Sequence, residues 1–304
     1  MPRSNQSDKL VFSAKPLFRE GREHRTEAVT NLRNYFFEKF KRHITLLLEQ
    51  TKSRKVPSQK GFLNSRQLHK YQYSDNIFQK TIKKESSDTT IVFLIDGSGS
   101  MDGWIDTPTN QDVTMVEMCG AVASAFAKAN QTVLKGQIPV EVFIKSAPPC
   151  YGQSLTGTKN GSLVTLSRVF SSSKRNADFD SLCKLTTNSP IMINGRAEGS
   201  YTSEYAVLPA LQKWIMQNVK TKKCIVFNLT DGEAYCSLGI DDYQFRSTDT
   251  KAMRIKYLRG IPNLTLMLGG REDARMKDIY GENMINANTD FAGALFRTFA
   301  GFLS

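Results

Sequence analysis

The sequence predicts an α/β fold: a doubly wound, mainly parallel sheet with helices on both faces, preceded by a mainly helical N-terminal extension. Three observations predict it. From residue 91 to the end, short apolar runs of strand character alternate with longer stretches of helical period. Two of those runs stop at an Asp-Gly pair, Asp96-Gly97 and Asp231-Gly232, as strands do when they deliver side chains to the C-terminal edge of an open sheet. Finally, the net charge of +12 is uneven: residues 1–90 hold 19 Lys/Arg and 9 Asp/Glu, whereas residues 91–304 hold 22 and 20. The break near residue 88 divides a basic extension, 1–88, from an α/β domain, 89–304.

Residues 1–25 are polar, with little periodicity, and read as a mobile lead-in. From Arg25 to Gln50, Leu32, Phe36, Phe40, Ile44 and Leu48 recur every four residues, with Phe37 and Leu47 widening the stripe. That spacing predicts an amphipathic helix whose other face carries Arg33, Glu38, Lys41 and Arg42. The apolar stripe needs cover, from the main domain or from another chain. Lys52 to Lys60 is basic and contains Pro57, which predicts a linker. The basic segment could contact nucleic acid or an acidic partner, but it carries no recognisable aromatic–basic binding module, and a solvated surface explains it more simply.

Ile91 to Ile95 is an uninterrupted apolar run and predicts a buried strand. It ends in Asp96-Gly97-Ser98-Gly99-Ser100, where glycines alternate with oxygen-bearing side chains. Glycine lets the backbone turn tightly enough for three such side chains to converge. One carboxylate and two hydroxyls are hard donors, suited to Mg²⁺ or Mn²⁺. Other readings of the loop fail on spacing. Position 102 is Asp where a dinucleotide fingerprint needs Gly, and Met101 and Thr107 stand where a calcium EF-hand needs Gly and Glu. Gly97 directly precedes Ser98, which breaks the nucleophile-elbow pattern.

Val113 to Leu134 follows as a helix, then Val140 to Ile144 as a strand. Residues 146–162 are a loop rich in Ser, Gly, Pro and Lys; Leu163–Leu166 and Val169–Phe170 read as strand or short helix; Ser171 to Asp180 is polar again. A helix carrying Ala206, Val207, Leu208, Leu211 and Trp214 comes next, and Cys224 to Leu229 is the strand that delivers Asp231. A polar loop, 235–248, leads to a helix over Thr250–Leu258, a strand over Leu264–Leu268 and a short helix over Asp273–Tyr280. Met284–Ile285 reads as an edge strand, and Asp290 caps a final helix with Phe291, Leu295, Phe299 and Leu303 on one side.

The loop at Asp96 resembles the first metal-binding motif, D-x-S-x-S, of the von Willebrand factor A-type (VWA) domain, whose Rossmann-like fold builds a metal-ion-dependent adhesion site (MIDAS) from three loops. Two further pieces are present in the expected order: Ser200-Tyr201-Thr202-Ser203 ahead of a helix, and Asp231 after a strand. The resemblance implies a Mg²⁺ or Mn²⁺ site with Ser98, Ser100 and Thr202 as inner ligands and Asp96 and Asp231 behind them. Ser200 and Ser203 stay open as alternatives to Thr202. It also implies that a carboxylate from another protein completes the metal's coordination.

A second resemblance is to CobT-type subunits of aerobic cobaltochelatase, which have many phage relatives. It rests on Gly61, Leu63, Leu68, Ile77-Phe78 and Asp88-Thr89. Those relatives carry Asp where this chain has Thr202. The likeness implies action beside an AAA+ ATPase of CobS or MoxR type, in metal chelation or in protein remodelling. The alternatives are a stand-alone interaction module and nucleic-acid contact through the basic extension. No intrinsic catalysis is expected: His24, His43 and His69 all lie upstream of the motifs, and neither H-E-x-x-H nor G-x-x-x-x-G-K-[ST] occurs. Five cysteines without C-x-x-C spacing, no apolar run of transmembrane length and a polar first segment lead to an expected cytoplasmic location, in the host cell if phage-encoded.

Overall fold

A strand with no polar interruption can be apolar on both faces only where both faces are covered. Thr89–Asp96 is such a strand, and every one of its residues is buried. The computed structural model describes residues 23–51, 54–58, 62–63, 78–82, 88–146, 165–185, 191–193, 196–198, 204–232, 247–268, 277, 279–281, 284–286 and 295. In chain order the elements begin with helix α1 (Glu23–Thr51) and strands β1 (Arg54–Ser58), β2 (Phe62–Leu63), β3 (Phe78–Ile82) and β4 (Thr89–Asp96). A short ribbon, β5 (Trp104–Ile105) and β6 (Val113–Thr114), leads into helix α2 (Met115–Leu134). Then come β7 (Val140–Ser146), β8 (Thr165–Ser171), a 3₁₀ turn at Asp180–Lys184, the hairpin β9 (Ile191–Ile193) and β10 (Arg196–Glu198), and helix α3 (Glu204–Asn218). The chain continues through β11 (Lys223–Thr230), helix α4 (Ser247–Tyr257), β12 (Asn263–Met267) and β13 (Met284–Asn286).

Six of these strands form one sheet in the order β13-β12-β11-β4-β7-β8. All neighbours are parallel except β7 and β8. The predicted α/β class, with a mainly parallel sheet flanked by helices, is therefore what the chain forms. Strand alternation sorts the two cores. Ile91, Phe93 and Ile95 face one side with α1 and α2, while Val92 and Leu94 face the other with Val207, Leu211 and Ile215 of α3. Met284–Ile285 lies in the edge strand β13, as expected.

The apolar stripe of α1 is buried against α2: Val29, Leu32, Phe36, Phe40 and Ile44 belong to the main core. Phe40 meets Phe126 edge-on at 5.5 Å, Phe126 meets Phe93 at 5.6 Å, and Phe93 stacks on Phe227 at 5.4 Å. The aromatic contacts thus run from α1 through α2 into the middle of the sheet. Leu47 and Leu48 lie outside the residues whose side chains are described.

Two local expectations change, and one left open is decided. Arg33, assigned to the polar face of α1, is buried and pairs with Asp180. The 3₁₀ turn at Asp180 packs where α1 and α2 meet, so an acid is in reach; Ser124 of α2 anchors the same turn by donating to the Phe179 carbonyl at 2.6 Å. The linker expected at 52–60 contains β1, which pairs antiparallel with β3. β1 is an edge strand, and an edge tolerates Pro57 because one row of its backbone groups needs no strand partner. The segment 163–170 resolves as strand β8 rather than helix over its described residues. The final helix expected after Asp290 lies outside the described residues, except for Leu295, which is buried.

No helix among the described residues is long and apolar enough to cross a membrane. Cys119, Cys183 and Cys224 are free; burial pushes the Cys224 thiol up to about 12.

Candidate metal centre

The C-terminal ends of β4 and β11 are adjacent, with Leu229 paired to Ile95. Asp96 and Thr230 close these two strands side by side, and Gly97 and Asp231 follow them out of the sheet. Gly97 makes the first turn. Its N–H donates to the Lys145 carbonyl at 2.8 Å. A Cβ at this position would stand 2.9 Å from Ile144 Cγ1 and 3.0 Å from the Lys145 oxygen, so β7 leaves room only for glycine. Gly232 makes the matching turn after β11 at φ +91°, a backbone region that other residues rarely adopt.

Asp96 is fully buried and held at both oxygens. Its Oδ1 accepts from the Ser98 N–H at 3.0 Å, and its Oδ2 accepts from the Thr230 hydroxyl at 2.7 Å. Thr230 Oγ1 in turn accepts from the Gly232 N–H at 3.2 Å, which ties the two turns together. Lys145 Nζ lies 3.9 Å from Asp96 Oδ2, and both side chains are completely buried. Ser98 is buried and Ser100 is exposed; their hydroxyl oxygens are 3.1 Å apart. Met101, buried beneath the following 3₁₀ turn (Gly99–Asp102), anchors the loop from below.

Asp231 is half-buried at the end of β11. Cys119 of α2 is buried. Burial pushes that thiol well up, and the negative charges of Asp96 and Asp231 push it further. Of the five residues expected at the site, Asp96, Ser98 and Ser100 share one loop and Asp231 stands on the neighbouring strand end. Thr202 lies outside the described residues, as do Ser200 and Ser203.

The Ser98 amide and the Thr230 hydroxyl are among the donors to Asp96. α2 starts only at Met115, and it closes its own N terminus with a capping box in which Thr114 Oγ1 accepts from the Glu117 N–H and Glu117 accepts from the Thr114 N–H. Two residues of the centre are absent from the sequence reading. Thr230 carries a weak signal, since it directly precedes Asp231. Lys145 carries none: a lysine closing an apolar strand is ordinarily solvated.

The donor chemistry fits a hard divalent cation. Ligands about 2.1 Å from an octahedral ion stand about 3.0 Å from each other, close to the 3.1 Å between the two serine hydroxyls. Among the described residues, no group of three or more His, Cys, Asp and Glu gathers.

No family model matches the chain, and no curated protein matches it. Among solved structures it is similar to the pilus adhesin RrgA from Streptococcus pneumoniae, at 11% identity and a TM-score of 0.43. That match covers 72% of this chain and 45% of the adhesin, so the chain spans less than half of that protein's length.

Proposed function

We propose that this chain is a divalent-metal-dependent protein-recognition module of VWA type. Ser98 and Ser100 would hold a Mg²⁺ or Mn²⁺ through their hydroxyls, with Asp96 and Asp231 supplying negative charge and Thr202 joining from the second loop. The observation that carries the reading is the serine pair, 3.1 Å apart, standing over a buried and fully oriented Asp96. A bound cation would supply an electrophilic point that the carboxylate of a partner protein can complete.

The residues of the chain do the positioning. Thr230 and the Ser98 amide fix the Asp96 carboxylate, so the loop bearing both serines cannot swing away. Neutral hydroxyls in the inner positions leave charge on the cation for an acidic ligand. The motif likeness to CobT-type subunits extends the proposal to a partner, an AAA+ ATPase of CobS or MoxR type, with this chain coupling that ring to an acidic third protein.

The test is affinity capture from extract in Mg²⁺ and in EDTA, with Asp96→Ala and Ser98→Ala beside the unaltered chain. Capture of a defined partner in Mg²⁺, lost in EDTA and lost in both folded variants, is the expected result. Equal capture by all three proteins, with or without metal, refutes metal-bridged recognition. Recovery of an AAA+ ring in the same samples separates the ATPase-coupled form of the proposal from a stand-alone module.

A further inference from the structure

We propose that the outward face of the β5–β6 ribbon is a docking surface for an arginine-bearing segment of a partner protein. This surface is distinct from the metal centre and needs no bound cation.

Between Lys84 and Lys128 the chain carries no Lys, Arg or His, although its net charge is +12. Asp102, Asp106 and Asp112 fall within that stretch, with Trp104 among them. The ribbon gathers three of these residues on one face. Trp104 pairs with Thr114, and Ile105 with Val113. Further out, the Thr107 hydroxyl donates to the Gln111 carbonyl at 2.9 Å and accepts from the Gln111 N–H at 3.1 Å, which closes the loop. Asp106 and Asp112 lie between those two rungs and so stand opposite each other. Alternate residues of a strand share a face, which puts Trp104, Asp106 and Asp112 together. Burial agrees: all three are exposed, whereas Thr107 and Val113 on the other face are buried.

Like charges set directly across a ribbon repel each other. Neither Asp106 nor Asp112 has a hydrogen-bond or ion-pair partner among the described residues. Beside them the Trp104 indole is 59% exposed. A cation laid over this face offsets the repulsion and covers the ring together. The guanidinium of arginine fits both parts: its plane stacks on an indole, and its N–H groups donate to carboxylates. The ammonium of lysine supplies the charge without the flat stacking surface. The ribbon is held ready for such a ligand. The Gly103 N–H donates to the Ser100 carbonyl at 2.9 Å, and the Gly103 carbonyl accepts from the Met115 N–H at 3.0 Å. Its base is thus fixed to the serine loop and to the start of α2, so little order has to be gained on binding.

The experiment follows the fluorescence anisotropy of a labelled peptide of alternating glycine and arginine, added to the full chain at low salt in EDTA. The unaltered chain should bind it, and should bind the matching lysine peptide about threefold more weakly. Trp104→Ala should weaken binding of the arginine peptide about threefold. Asp106→Asn combined with Asp112→Asn should weaken it about fivefold. Ser98→Ala should bind the peptide as the unaltered chain does, because the metal centre takes no part. Circular dichroism establishes that each variant is folded; should Trp104→Ala fail to fold, the aspartate double variant decides. No binding of the arginine peptide to the unaltered chain, or equal binding by the folded ribbon variants, overturns the proposal. So does self-association of the chain that Trp104→Ala abolishes and the arginine peptide leaves intact, since the ribbon would then be a contact between copies.

Discussion

Neither amide atom of Asn228 has a hydrogen-bond partner among the described residues, although the side chain is almost completely buried. It sits in β11 between Leu94 and Thr265 on the neighbouring strands, two positions before the Thr230 that orients Asp96. A buried polar group without a partner destabilises a fold by about 1–3 kcal/mol. Leucine has the same branching at the same position with no polar atoms, so Asn228→Leu should raise stability by about 1–2 kcal/mol in urea titrations. A loss of stability would mean that the amide is satisfied in solution. At this scale the chemistry of the centre was partly legible. Asp96, Ser98 and Ser100 are spaced by glycines, and such spacing is visible in any reading of the chain. Lys145 was not legible, because burial of a charged side chain depends on what other strands bring beside it.

Among the elements, α1 shows how far periodicity carries. Its four-residue apolar spacing marks both the helix and the face that is buried. Phe40 lies at the point where that face meets α2, within 5.5 Å of Phe126 and through it close to Phe93 of β4. Phe40→Ala should therefore destabilise by about 3–5 kcal/mol, the usual range for emptying a buried aromatic position. A chemical-denaturation midpoint left unmoved would place α1 outside the cooperative unit. Arg33 marks the limit of the same reasoning. Helical spacing puts it on the flank of the stripe, yet it is buried because the turn at Asp180 offers it a carboxylate. The strand β1 is a similar case, since Pro57 suggests irregular chain until pairing with β3 shows an edge on which proline is tolerated.

For the molecule as a whole, charge and packing draw different lines. The basic excess lies before residue 88, but Val29, Leu32, Phe36, Phe40 and Ile44 of α1 belong to the same core as α2 and the sheet. Removing residues 1–51 should expose Phe126 and its neighbours on α2. The shortened chain should elute as an aggregate in size-exclusion chromatography and melt without a cooperative transition; a monomer with a sharp melt would contradict this. Alternating strand and helix signals, strands that end in Asp-Gly, and the glycine-spaced oxygen donors are properties of neighbouring residues, so the sequence by itself determined the α/β class and the loop chemistry at Asp96. The placing of Lys145 beside Asp96, of Thr230 on its carboxylate and of Phe40 on Phe126 joins residues far apart in the chain. Only the order and register of the strands, and the docking of α1 on α2, could decide those contacts, because no local pattern records which distant side chain will share a buried site.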